Sequence, residues 1–411
     1  MKNATVCLVC LGAILCRTPV LVADDKNTAP QYAKQGWSTV AMGDVEVNPE
    51  QLRAMQEGDY ILHAKAGRLK KVPVQKIELP LDPCGHVQRL ALFVGADKTI
   101  YAAQCSVLSQ SADGGKTWTH SRQETSGIDV PEHPYMDMRV LADGTWVLGR
   151  AVEPEAKEIA FLTSSDRGKS WNESCRIGDG LDATDVRLGS LELLRDGSLL
   201  VPVTAVYFKG KEWTNVRSLC YRSADGGKSF SEPTAIGNWG HEINVAELPS
   251  GQLLAVIRYQ RPLLPSDPAN ILELTGAKRW NHSFPYKHVF VADSTDGGQA
   301  WSRNVQVTTE CGQCHGAAVG LQNDRVVMVY DHRYPRPMSG ARAAVSNDSG
   351  RTWSDEVYYL SNGIVAGFAR TITLDGEEML TLTGSYYGEK LGWGDVTGKT
   401  QFHIIRWRLQ D

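Results

Sequence analysis

Residues 310–320 read ECGQCHGAAVG, so Cys311, Cys314 and His315 form a C-x-x-C-H. That spacing is the attachment signature of c-type haem. A covalent haem needs room beside the motif and a second axial ligand, for which His282, His288 and His332 are the candidates. The motif instead runs directly into AAVGLQNDRVVMVY, an apolar strand pair. Zinc would need a fourth ligand or water, and beyond residue 23 the chain has no second C-x-x-C. The expectation is therefore no cofactor and no metal. A Cys311–Cys314 disulfide, or two free thiols with His315 facing a pocket, is the simpler reading.

The elements that position this segment follow from a repeat. SADGGKTW (111–118) recurs as SSDRGKSW, SADGGKSF, STDGGQAW and SNDSGRTW, at intervals of 53, 59, 71 and 52 residues. The pattern Ser-x-Asp-x-Gly-x-(Thr/Ser)-(Trp/Phe) suits a tight turn, with Asp and Ser oxygens on turn amides and Gly at positive φ. Interleaved with it are six hairpins, such as LELLRDGSLLVPV and VAELPSGQLLAVIR. One further strand follows each of the first five hairpins and leads into a box. Each unit is thus a four-stranded antiparallel sheet, and six units predict an all-β, six-bladed β-propeller. The sixth unit has no box. Its fourth strand is expected from VPVQKIELP (72–80), which would close the ring.

In this topology the bends and boxes share one face. The opposite face surrounds the axis and receives the starts of first strands and the ends of second strands. It carries His86 and Arg89, then Asp137, Arg139 and Arg150, then Asp185, Arg187 and Tyr207. His241, Glu242, Arg258 and Tyr259 follow in the fourth unit. The fifth brings Cys314, His315, Asp331, His332, Arg333 and Arg342, and the sixth brings Phe368, Arg370, Tyr386 and Tyr387. Arginine recurs in every unit, and forked guanidinium groups suit a carboxylate or sulfate ligand.

The five boxes resemble the Asp-boxes of the sialidase superfamily, from about Val72 to Asp411. Such propellers include hydrolases and non-catalytic binding modules. The resemblance implies that Arg89, Arg258 and Arg342 hold a substrate carboxylate, with Arg333 and Arg336 competing for the third position. HEINVAELPSGQLLAVIR is the closest stretch and places Glu242 at the catalytic glutamate. Two departures stand out. Phe368 occupies the position of the nucleophilic tyrosine, so Tyr386 or Tyr387 would have to replace it. The loop AQCSVLSQ lacks the expected acid, for which Asp137 or Asp185 could substitute.

Other features bound the reading. Net charge is −4, which gives no sign of nucleic-acid or membrane binding. Residues 1–23 read as a secretory signal with Lys2 before an apolar run, so an exported, periplasmic or secreted, protein is expected. The expected division is signal 1–23, extension 24–69 with a short helix at NPEQLRAMQEG, and propeller 70–411. An insertion at 259–287 carries Trp280, His282, Phe284 and Tyr286, a sugar-stacking wall or a self-packed loop. The expected function is an exported glycoside hydrolase releasing sialic acid or a related acidic sugar. The expected partner is an acidic glycan; oligomeric state stays open. The alternatives are a hydrolase or lyase for another anionic polysaccharide, and a non-catalytic glycan-binding propeller.

Overall fold

The structure, a computed structural model, describes residues 47–80, 90–95, 97–104, 107–122, 136–152, 157–363, 369–387 and 399–411. Its fold is all-β and propeller-like. The described strands form five sheets. One runs from Leu90–Val94 to Thr119–Arg122, a second from Met136–Val140 to Asn172–Ile177, and a third from Asp185–Leu188 to Thr234–Asn238. A ten-stranded sheet contains the next two repeat units, joined by one parallel pairing of His288 with Gln313. The last sheet combines Arg370–Thr373, Glu378–Tyr387 and Lys399–Arg408 with Gln75–Glu78.

All five boxes form the turn their sequence encodes. In the first, Ser111 Oγ donates to Asp113 Oδ1 (2.8 Å) and accepts from Gly115 N (2.8 Å). Asp113 Oδ1 also accepts from the amides of Lys116 and Thr117, both at 3.0 Å. These bonds hold its carboxyl well below the usual range. The box glycines Gly115, Gly168, Gly227, Gly298 and Gly350 have φ of 80° to 90°, where a side chain would be strained. The Asp carboxylates are therefore consumed by the turn and are not available for chemistry.

The chain closes as expected. Ile77 lies opposite Ile404, and Leu79 N donates to Phe402 O at 2.8 Å. The helix Pro49–Glu57 is present with a complete capping box between Asn48 and Gln51, and it buries Leu52 and Met55. Part of the expected extension is not separate from the sheets, however. Tyr60–Lys65 pairs with both Arg68–Pro73 and Val357–Tyr359, widening the ten-stranded sheet. The reason is burial by hydrophobic side chains, with Leu62 and Ala64 packed in one core cluster and Ile61 in another. No helix among the described residues is long and apolar enough to cross a membrane.

Candidate active site

Two β-bulges, one in each repeat unit of the ten-stranded sheet, build the site. In Gly240–Glu247, His241 lies opposite Arg258 and Asn244 opposite Val256, so Glu242 and Ile243 face Ile257 alone. In Gln313–Gly320, Cys314 lies opposite Asp331 and Ala317 opposite Val329, so His315 and Gly316 face Tyr330 alone. Glu242 and His315 are the left-handed residues of their bulges, with φ of 47° and 55°. Non-glycine residues in that region are costly and tend to mark functional sites. The bulges re-aim Glu242 and His315 toward each other. Asn244 Nδ2 ties them by donating to Gly316 O at 2.7 Å. Gly316 is required there, since a Cβ would sit 2.4 Å from Val256 Cγ1.

The register equates Glu242 with His315 and Arg258 with Asp331, and the side chains interlock. His315 Nε2 and Arg258 Nη1 both donate to Glu242 Oε2, which leaves the two nitrogens 2.9 Å apart. On the other ring edge, His315 Nδ1 and Arg333 Nη2 both approach Asp331 Oδ2 at 3.0 Å. Arg258 Nη2 donates to Gln260 Oε1 at 2.7 Å. Glu242, His315, Asp331 and Arg333 are all buried, and Arg258 is partly exposed.

These charges set each other's protonation. Burial pushes the Glu242 carboxyl up, but Arg258 and His315 together hold it well below the usual range. Burial would neutralise His315, yet the Glu242 carboxylate raises it to about 9. Burial also opposes ionisation of Cys314, but Arg333 and His315 bring the thiol down to about 7. Burial lowers Lys287 to about 8, and the nearby cations Arg333 and Arg258 add to the effect. At neutral pH a charged carboxylate and a charged imidazolium are therefore in contact, with Asp331 holding the ring.

The C-x-x-C-H is resolved by this arrangement. Cys311 and Cys314 are free thiols, so the disulfide alternative gives way to the two-thiol one. Both nitrogens of His315 face carboxylates, which leaves no lone pair for haem iron. Cys314, His315 and Asp331 offer three clustered donor atoms. Arg333 Nη2 already contacts both His315 Nδ1 and Asp331 Oδ2, so a metal placed there would face a guanidinium.

Of the residues singled out from sequence, Glu242, Arg258, His315 and Arg333 are brought together. Asp137 is not with them. Its Oδ1 accepts from Met138 N and Arg139 Nη1, both at 2.8 Å, and its Oδ2 from Leu191 N at 2.9 Å, so it bridges two sheets. Arg342 makes other contacts. It is buried, donates to the carbonyls of Ala341, Ser361 and Met338, and lies 4.3 Å from the Tyr359 ring centroid. With its donors engaged by backbone, it has no free fork for a substrate carboxylate. Tyr386 lies in Glu378–Tyr387 opposite Thr400. Arg89 and Phe368 lie outside the described residues.

The insertion divides between wall and core. Tyr286 is buried against Tyr259 and Phe290. Phe284 stacks on Trp213 (5.2 Å), which also meets His241 (4.7 Å). Trp280 stacks on Tyr334 (5.6 Å). Sequence reasoning missed Gln260, Lys287 and Trp213. A usable signal was the register itself: counting back equally from each hairpin bend aligns HEIN with CHGA and RYQ with DHR.

The fold has solved counterparts. It is similar to an α-L-arabinofuranosidase of Fusarium graminearum (TM-score 0.57, 15% identity, covering 80% of this chain and 97% of that one). It is also similar to a Penicillium chrysogenum α-L-arabinanase complexed with arabinobiose (TM-score 0.52, 13% identity, 81% and 98%). A Hadza microbial sialidase gives a TM-score of 0.51 at 15% identity, over 77% of this chain and 64% of that one. At these identities the likeness is one of fold. No curated protein matches the sequence. The family model for the BNR repeat-like domain matches residues 144–404, more than half of the chain. With its Asp-box turns and propeller-like sheets, the protein belongs to the BNR repeat-like family.

Proposed function

We propose that the protein is an exported glycoside hydrolase acting on a glycan that bears an anionic group, with Glu242 and His315 as its reacting pair. The six repeat units would form a six-bladed ring around that pair. The observation that carries the reading is the direct contact of ionised Glu242 with protonated His315, backed by Asp331. Glycosidic cleavage needs a proton for the leaving oxygen and a negative group for the oxocarbenium-like centre. His315 Nε2 carries the proton, and Asp331 fixes the ring through Nδ1. Glu242 carries the negative charge, as nucleophile or as electrostatic partner. The excess of cations, with Arg258, Arg333, His315 and Lys287 around Glu242 and Asp331, favours an anionic sugar. Sialic acid is one such sugar, and a uronate or sulfated residue another.

Fluorogenic sialoside, glucuronide and arabinofuranoside substrates test this directly. Release of fluorophore from an anionic glycoside is expected, with kcat falling about 1,000-fold or more in Glu242→Gln. Saturable glycan binding without turnover would support the non-catalytic reading instead. Full activity in Glu242→Gln would remove Glu242 from the mechanism.

A further inference from the structure

Lys287 ends the insertion that rises between the strands Leu253–Tyr259 and His288–Ser294. Its backbone is fixed on both sides. Its N–H donates to His288 Nδ1 at 3.0 Å, and its carbonyl accepts from Gly312 N at 2.8 Å, inside the C-x-x-C loop. The side chain is only 8% exposed. Its ammonium lies 5.7 Å from the Tyr334 ring centroid, and no carboxylate among the described residues lies within 4.0 Å of it. The site's carboxylates are engaged elsewhere: Glu242 by Arg258 and His315, Asp331 by His315 and Arg333. The charged and titratable neighbours that bear on Lys287 are Arg258, Arg333, Cys311 and Cys314, with His282 beside it.

A buried ammonium without a carboxylate is costly, two nearby guanidinium groups add repulsion, and the Cys314 and Cys311 thiols offset these effects only in part. Three cations from three chain segments thus act on one another electrostatically: Arg258 from a strand end, Arg333 from the turn after Val326–His332, and Lys287 from the insertion. A site for neutral sugars has no use for that third charge. An anion beside Lys287 would relieve the remaining repulsion and supply a full counter-charge.

We infer that Lys287 is the specificity-determining residue of this site and binds the carboxylate or sulfate ester of the sugar on which Glu242 and His315 act. The inference rests on the hydrolase reading, but its test is separable from it. Lysine suits this task as a point charge that accepts either anion, whereas the arginines already donate to Glu242 and Asp331.

Isothermal titration calorimetry at pH 7 on the full chain tests the assignment, with sodium glucuronate, sodium sulfate and methyl glucoside as probes. Wild type is expected to bind glucuronate, sulfate or both, and methyl glucoside at least tenfold more weakly. Lys287→Gln should lose at least tenfold in anion affinity, and Lys287→Arg should retain most of it. Binding of glucuronate alone identifies a carboxylate site; binding of sulfate alone identifies a sulfate site. Unchanged anion affinity in Lys287→Gln overturns the proposal, as does absent anion binding in wild type or equal binding of methyl glucoside. Anion binding without turnover of any glycoside would sink the hydrolase reading alone. Glu242-dependent turnover without an anion effect would sink the Lys287 assignment alone.

Discussion

At the scale of single residues, the site is a balance of groups whose titrations oppose one another. His315 is raised from 6.5 to about 9, so its contribution to stability is complete below pH 6.5 and is lost as pH rises through 9. Cys314 is lowered from 9.0 to about 7, so its contribution is present above pH 9 and is lost as pH falls through 7. Lys287, lowered from 10.5 to about 8, acts in the same direction as Cys314, because deprotonation relieves the folded state first. Between pH 7 and 9 the thiolate therefore offsets the loss from His315. Cys314→Ser removes that offset. The stability gap between wild type and Cys314→Ser should widen by about 2–3 kcal/mol from pH 6.5 to 9. Urea melts at both pH values measure it, and a constant gap would show that Cys314 does not ionise in the folded protein. Glu242 was legible in the sequence because its surrounding strand resembles a known one. Asp331 and His315 were legible only as positions on the right face. That they share a proton-bearing contact depends on side-chain direction, which composition and period do not encode. The partners of Arg342 were illegible for the same reason, since a strand-three arginine near the right box can equally bury its fork in backbone carbonyls.

At the scale of elements, the paired bulges decide whether those residues meet. Without the bulge, alternation along Gly240–Glu247 and Gln313–Gly320 would send Glu242 and His315 along ordinary strand directions. The bulge in the second strand exists only because Gly316 lets the backbone approach Val256. Gly316→Ala is expected to cost about 1–3 kcal/mol through overpacking and to displace His315. Turnover should fall by more than the stability change predicts, because contact with Glu242 is lost. Val256→Ala frees the space that the new methyl needs, so the double variant should recover activity relative to Gly316→Ala. A double-mutant cycle in stability and kcat reads the coupling. Strictly additive effects would mean that the close approach to Val256 does not hold the bulge. Hairpins and boxes were legible because turn chemistry is local: Asp-Gly bends and Ser-x-Asp-x-Gly each specify their own backbone. The bulges were not, because the count back from each bend aligns the two units with each other but does not show where the pairing slips by one residue.

At the scale of the whole molecule, the chain is closed by residues far apart in sequence. Leu79 lies in a buried cluster with Leu90 and Leu92 of the first sheet and Leu380, Leu382, Phe402 and Ile404 of the last. Arg406 reinforces this seam by donating to Gly114 O at 2.8 Å, within the first box turn. The seam was readable from sequence because the last unit lacked a box and a spare apolar strand stood near the N-terminal side. The pairing of Tyr60–Lys65 with Val357–Tyr359 was not readable, since nothing in YILHAK names the sheet edge it covers. Leu79→Ala should cost about 2–4 kcal/mol, because it opens a cavity where the first and last sheets meet. The seam and the Glu242–His315 contact lie in different sheets, and each sheet carries its own strand ladder. Leu79→Ala should therefore lower the melting temperature while leaving kcat and KM unchanged well below the transition. Leu254→Ala serves as the comparison, since Leu254 packs in the core cluster of the ten-stranded sheet that holds the site. If Leu79→Ala alters KM or kcat in the folded protein, the sheets transmit strain from seam to site, and the seam would bear on turnover rather than only on stability.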